Sequence, residues 1–432
     1  MRQFLYLLVL LHLFACSDKT ERKEVFDAEA IHFANERLIK ISMEDVYSPP
    51  VASRVFAYPN LAAYEVYQHR LGLSIINKLE PNTILQIKTD TTDIDYSVAS
   101  LAAYCKIAHL VVFSEYLVDS LEQNLDKKAL TAGINKSRLE ASKKYGEKIA
   151  EEIKKWIAKD NYASVKAGDF YTQKSTDSSW IVTPPMFEPA LEPNWKNLRP
   201  LTLPNLEDFK PKPRPVFSIK PGSEFFEAAK EVYEIGKSPS DQEKAIALHW
   251  DCNPNEYNNK GHNTFFIHKM SPPAHWMSIH AILSKQTNAD FSKSLLGYAL
   301  ITSAMFDGII SCWHTKYSEE LIRPETYINR YIDRKWQPFI QTPPFPEFTS
   351  GHSVVSGASS TILEKLFPNT AFTDDTEVQF DLPARKFESV IQAGEEASYS
   401  RFYGGIHYRF GIELGFEQGK KIGEHVNMVF NQ

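Results

Sequence analysis

The sequence predicts a mainly α protein, and three observations carry that prediction. Apolar residues recur at helical spacing over long segments, alternating strand-like runs are rare and short, and prolines crowd into one stretch instead of scattering. Helical periodicity spans roughly 25–47, 50–70, 96–124 and 136–160 in the first part of the chain. It continues over 223–236, 239–249, 272–285 and 291–322, and then over 352–366, 384–397 and 405–428. The most strand-like run, Thr83 to Lys88, is short. Between Thr183 and Pro221 fall 10 of the 25 prolines, too dense for regular helix and suited to extended, polyproline-like chain. Phe187, Trp195, Phe209 and Phe217 interleave with them, so this stretch is expected to pack across two helical layers. No internal repeat at a fixed period is present.

Composition bounds the rest. The 432 residues, 43% hydrophobic and 24% charged, suffice for two to four units with a large core and no help from disulfides. A net charge of −6 and the absence of a long basic run exclude nucleic acid as a partner. Any anion must therefore be gathered locally.

The chain opens with Arg2 and an apolar run, Phe4 to Ala15, too short to span a bilayer and suited to a leader. Leu13-Phe14-Ala15-Cys16 followed by Ser17 resembles a bacterial lipobox, which implies a lipid-anchored protein of the bacterial cell envelope, acylated at Cys16. Membrane contact is expected only through that lipid; plain secretion is the alternative. Loss of Arg2 with residues 1–15 takes the net charge from −6 to −7. Cys105, Cys252 and Cys312 lack the spacing of a disulfide or zinc framework and read as small buried residues. The expected organisation is a leader (1–15), an N-terminal helical region (16–182), a proline-rich connection (183–221) and a C-terminal helical region (222–432) that carries the chemistry.

Three motifs in the C-terminal third carry chemical groups. In the first, Lys316 and Arg323 stand seven residues apart, about two helical turns, with Trp313 one turn earlier and Pro324 forcing Arg323 out of the helix. Two cations on one stripe grip a multivalent anion; pairing of Lys316 with Glu320 on a solvated face is the plain alternative. The second, Phe345-Pro-Glu-Phe-Thr-Ser350-Gly351-His352, places a capping serine and a glycine at a helix start. Free N–H groups and the positive dipole end there favour an anion, and an imidazole beside it can exchange protons. The third is Ser400-Arg401-Phe-Tyr-Gly404-Gly405-Ile-His407, in which the glycine pair lets Arg401 and His407 converge. Gly411, Gly415, Gly419 and Gly423 then form a ridge that permits close helix packing.

Together these blocks resemble the vanadium-dependent haloperoxidase and type 2 phosphatidic acid phosphatase superfamily, whose pattern is Lys-x6-Arg-Pro, Pro-Ser-Gly-His and Ser-Arg-x5-His-x3-Asp. The resemblance covers about residues 290–428 and extends weakly to His249-Trp-Asp251-Cys-Asn-Pro254 and Ser271-Pro-Pro-Ala-His275-Trp276. It implies helical bundles of that type and one vanadate per subunit, with phosphate able to take the same place. His407 would be the axial vanadium ligand. Lys316, Arg323 and Arg401 would neutralise the oxygens with help from the Ser350 hydroxyl and the Gly351 N–H, and His352 would move the proton. Trp313, Phe345, Tyr257 and His262 would stand near the substrates. Two departures from the pattern are Thr349 for proline and Gly411 for the aspartate four residues after His407. A backbone carbonyl is expected to replace that carboxylate, and Asp251 is expected to pair with Arg401 in preference to Asp307.

The resemblance admits two activities. A haloperoxidase would use hydrogen peroxide to oxidise a halide, iodide most readily, with a small organic acceptor possible. A phosphatase would use His407 as nucleophile on a phosphate ester. The 315 residues before Lys316 and the lack of an uninterrupted apolar run of about 18 residues after the leader favour the large two-bundle haloperoxidases. Phe345 stands where algal bromoperoxidases carry histidine, and the chain looks most like bacterial iodoperoxidases. A cation site among His262, His268, His275 and His280 is disfavoured by their spacing.

Overall fold

The computed structural model describes residues 24–80, 93–254, 256–260 and 263–431; Cys16, the lipobox and the run Thr83 to Lys88 lie outside them. Fifteen α-helices and two small hairpins follow in order among the described residues. The first part holds α1 (Ala28–Glu44), α2 (Pro49–Gln68), α3 (Ile75–Leu79), α4 (Tyr96–Val111), α5 (Glu115–Thr131), α6 (Lys136–Ile157) and α7 (Tyr162–Lys166). After the proline-rich segment come α8 (Glu224–Lys237), α9 (Asp241–His249), β1 (Glu256–Lys260), β2 (Asn263–Ile267), α10 (Pro272–Gln286), α11 (Phe291–Glu319) and α12 (Pro324–Tyr331). The chain ends with α13 (Gly351–Leu366), β3 (Phe372–Asp374), β4 (Arg385–Phe387), α14 (Val390–Tyr403) and α15 (Arg409–Asn431).

Local signals set the boundaries. Asp290, Ser350 and Ser389 cap α11, α13 and α14 by accepting N–H groups of the first turn, and a Ser240–Glu243 capping box starts α9. Two expected elements differ. The helix expected over 96–124 is two helices, because Asp45 from α1's end accepts the Phe113 and Ser114 N–H groups at 3.1 and 3.2 Å and holds the chain out of helix there. The helix expected at 384–397 starts six residues later, at Val390, because Arg385–Phe387 pairs antiparallel with Phe372–Asp374. The short helices α3, α7 and α12 were not foreseen.

Helix α11 is the axis of the molecule. Its apolar window is long enough to cross a membrane, yet 94% of it is buried inside the protein. Tyr298, Phe306 and Trp313 along it join a core that runs from Phe26 to Phe430. Asp307, on the face opposite Lys316, accepts the Leu201 and Thr202 N–H groups at 2.7 and 2.8 Å and so holds the proline-rich segment against α11. Trp195 and Phe209 of that segment are buried, as packing across helical layers requires, but Phe187 is 59% exposed and contributes nothing to the core.

Candidate active site

Four short stretches of chain bring the three motifs together. Lys316 lies in the last turn of α11, and Glu320 ends that helix with a left-handed backbone. Pro324 starts α12, which leaves Arg323 extended as its N-cap. Ser350 caps α13 by accepting the Ser353 N–H at 3.3 Å, so Gly351 and His352 open the helix at its positive end. Arg401 lies in the last turn of α14, and Gly405, at φ +79°, turns the chain through a conformation that side chains resist so that His407 precedes α15.

Lys316, Arg323, Arg401 and His407 are all within 2% of complete burial. A solvated pairing of Lys316 with Glu320 is thereby excluded, and Glu320 instead meets Lys174 at 2.7 Å. The Lys316 ammonium donates to the carbonyls of Pro346 and Glu347 at 2.8 and 2.9 Å and lies over the Phe345 ring. Burial pulls its pKa down to about 7. Arg323 donates through Nε to the Phe345 carbonyl and through Nη1 to the Ile406 carbonyl, both at 2.9 Å, with Nη1 also 3.1 Å from His407 Nε2. Arg401 reaches Asp251 Oδ1 at 3.4 Å and the Ala247 carbonyl at 3.1 Å, while Asp251 also pairs with Lys269 at 2.7 Å. Burial, followed by the neighbouring cations, holds both His352 and His407 well below the ordinary imidazole range, so both are neutral at pH 7.

A cavity of about 40 Å³ opens against this cluster, walled by Asp251, Trp313, Phe345, His352, Arg401 and His407 among others. Water needs roughly 10–15 Å³ on that measure, so the space suits a small oxyanion. Lys316, Arg323 and Ser350 are not on its wall but adjoin it through Phe345, His407 and Gly351. Leu191 of the proline-rich segment completes the apolar side and accepts the Trp313 indole N–H at 3.2 Å.

The partner of His407 corrects the expectation of a backbone carbonyl. His407 Nδ1 donates to Glu347 Oε1 at 2.7 Å, and the same oxygen accepts the Tyr408 N–H at 3.2 Å. With a carboxylate on one side and a guanidinium on the other, the imidazole carries its proton on Nδ1 and presents the Nε2 lone pair. A Cβ at Gly411 would stand 2.2 Å from Glu347 Oε1, so the glycine makes room for this carboxylate. The carboxylate absent at 411 is thus supplied from the Phe345–Ser350 loop. Sequence reasoning passed over Glu347 although it lies inside the second motif; the pairing with a glycine at the family's aspartate position was the available signal. Thr349 packs behind, donating to Gln418 Oε1 at 2.7 Å.

The remaining expected residues fall elsewhere. His262 and the Tyr257 side chain lie outside the described residues. His268 meets the Met43 carbonyl and His280 the Ser294 carbonyl, so neither joins His275 in a cation site. Cys105, Cys252 and Cys312 are buried and free, but Cys252 is not merely a small apolar filler, because its sulfur contacts His275 Nδ1 at 3.2 Å.

Residues 297–432 match a family model, the VCPO second helical-bundle domain. Over the whole chain the fold is similar to the crystal structure described as the first bacterial vanadium-dependent iodoperoxidase, with TM-score 0.86 and 41% identity over 93% of this chain and 96% of that one. A holo-type bacterial vanadium-dependent chloroperoxidase has TM-score 0.64 and 15% identity over 90% and 95% of the two chains. Its apo-type counterpart has 0.65 and 14% over 89% and 94%; at these identities the likeness is one of fold. No curated protein matches.

Proposed function

Since the chain belongs to the vanadium-dependent haloperoxidases, we propose that it oxidises halide, iodide above all, with hydrogen peroxide to hypohalous acid, holding one vanadate. The observation that carries this reading is a fit between the site and an oxyanion. Arg323 Nη2 and His352 Nε2 are buried polar atoms without a hydrogen-bond partner, each costing about 1–3 kcal/mol while unsatisfied. Both belong to residues around His407 Nε2, which faces the Arg323 guanidinium at the cavity wall. An anion with four oxygens would satisfy them and neutralise the surrounding cations.

In this reading His407 Nε2 would hold the vanadium, with Glu347 fixing its tautomer and ring plane. Lys316, Arg323 and Arg401 would hold the anionic oxygens, with the Ser350 hydroxyl and the Gly351 N–H assisting, and Asp251 orients Arg401. His352 Nε2, buried and without a partner, would take a proton from entering hydrogen peroxide and return it to the departing water. Trp313, Phe345 and Leu191 give the cavity a dry side on which iodide, large and weakly hydrated, is accommodated. Vanadate, when bound, supplies Lewis-acid activation of peroxide toward the halide. The iodoperoxidase that is 41% identical supports iodide as the halide. A lipid anchor at Cys16 is proposed on the lipobox alone.

Glu347 also removes one argument against phosphatase chemistry, since a nucleophilic histidine needs such a carboxylate. The test therefore runs both activities on one preparation. Mature protein reconstituted with orthovanadate is assayed for peroxide-dependent oxidation of iodide, bromide and chloride, beside phosphomonoester hydrolysis. Iodide oxidation is expected, competed by phosphate, and lost in His407→Ala and His352→Ala. Hydrolysis without any halide oxidation overturns the proposal.

A further inference from the structure

Beside the cavity lies a second cluster of titratable groups that the proposed reaction does not use. Cys252 is on the cavity wall with His352 and Arg401. Its sulfur is 3.2 Å from His275 Nδ1, and His275 Nε2 is 2.7 Å from Asp374 Oδ2. The same Asp374 oxygen meets His249 Nε2 at 3.1 Å, and Thr376 Oγ1 stands 2.8 Å from His275 Nε2. Four segments converge here: the end of α9, the loop after it, the first turn of α10 and strand β3, which ends at Asp374. Asp374 is an acceptor flanked by two imidazoles and holds a proton on His275 Nε2; burial opposes a charged ring, but Asp374 and the Cys252 sulfur together raise His275 well above the ordinary imidazole range, so the proton between Nδ1 and the Cys252 sulfur is drawn to the imidazole. That is the order of a nucleophile, a base and an orienting carboxylate.

We propose that Cys252 is a peroxide-reactive modification site, activated by His275 and Asp374 and reached through the reaction cavity. That peroxide enters this cavity rests on the proposed function; the thiol chemistry needs no vanadate. The Cys252 S–H proton passes to His275 Nδ1, and the sulfur attacks one oxygen of hydrogen peroxide. The O–O bond breaks, the departing oxygen takes a proton from His275, and the products are Cys252 sulfenic acid and water. Sulfur is oxidised by two electrons and peroxide reduced by two. Burial pushes the Cys252 thiol up, while His275 and Arg401 pull the other way. A base in contact is therefore required, because a thiol this buried holds little free thiolate. Cys105 and Cys312 are as buried but do not line the cavity and have no imidazole on their sulfur.

The test uses vanadate-free, full-length protein treated with hydrogen peroxide, trapped with dimedone and mapped by peptide mass spectrometry. A sulfenic adduct is expected on Cys252 and on neither Cys105 nor Cys312. In His275→Gln the labelling rate at Cys252 should fall about a hundredfold, the span of a lost general base, with the melting temperature measured alongside. Absence of the Cys252 adduct in the wild-type protein, or equal labelling of Cys105, Cys252 and Cys312, overturns the proposal without any variant. Because vanadate is absent, labelling tests the thiol separately from the haloperoxidase reading, which iodide oxidation tests by itself.

Discussion

Glu347 and His407 are 60 residues apart in sequence and 2.7 Å apart in space, and the glycine at 411 is what permits their meeting. A carboxylate that orients a ligating imidazole typically governs 10–100-fold in metal affinity. Glu347→Ala should therefore weaken vanadate binding by about that factor, read by titration calorimetry. Gly411→Asp alone should also weaken it, because its Cβ would fall 2.2 Å from Glu347 Oε1. Combined, the two changes move the carboxylate to the family's usual position and should recover much of the loss. The coupling is decided by a double-mutant cycle, and additive losses would refute an exchange of position. Lys316 is a second case at this scale. Its pKa is about 7 in the folded protein against 10.5 unfolded, through burial. Between those values the unfolded chain binds the extra proton, so this group makes stability rise as pH climbs from about 7 toward 10.5 and withholds that gain below 7. Lys316→Met should remove this increment in vanadate-free protein, flattening its urea-unfolding profile over that range relative to wild type. The same variant should lose vanadate binding.

At the scale of elements, the site depends on how closely α15 lies against α13. A Cβ on Gly419 would stand 2.1 Å from the Val354 carbonyl oxygen, and one on Gly423 2.7 Å from that of Ala358. The glycines thus let α15, which continues directly from His407, touch the helix whose first turn holds Gly351 and His352. Gly419→Ala would push the helices apart, at about 1–3 kcal/mol for an overpacked contact, and would separate the histidine ligand from the anion-binding helix start. A lower melting temperature and weaker vanadate affinity are expected together. A stability loss with unchanged affinity would mean the spacing of α13 and α15 does not govern the site. The ridge was legible in the sequence from its four-residue spacing. The late start of α14 was not, because strand pairing of Arg385–Phe387 with Phe372–Asp374 overrides the local helical pattern. The break at Phe113 was equally hidden, since Asp45, which causes it, lies 68 residues away.

At the scale of the molecule, the sequence made the mainly α architecture readable through helical periodicity, and the site readable where cations, capping serine and glycines keep fixed spacing. What it concealed were partnerships made only by folding: Glu347 with His407, Asp374 with His275, and Asp307 with the backbone of the proline-rich segment. That last contact bears on how the protein unfolds. The core runs without interruption from Phe26 in the first part to Phe430 at the end, and Tyr64 of α2 stacks on Phe430 of α15 at 5.9 Å. Leu191 connects the proline-rich segment to the cavity wall. An oxyanion bound at His407 should therefore stabilise the described molecule as one cooperative unit. At a hundredfold excess over its dissociation constant, a ligand specific to the folded state adds about 2.7 kcal/mol. With an unfolding entropy of about 2.1 cal/mol/K per residue over 432 residues, that gain corresponds to a rise of about 3 °C in melting temperature. Scanning calorimetry at increasing orthovanadate should show a single transition moving upward by that amount. Two transitions, with only one responding to vanadate, would show that the N-terminal helices unfold independently of the site.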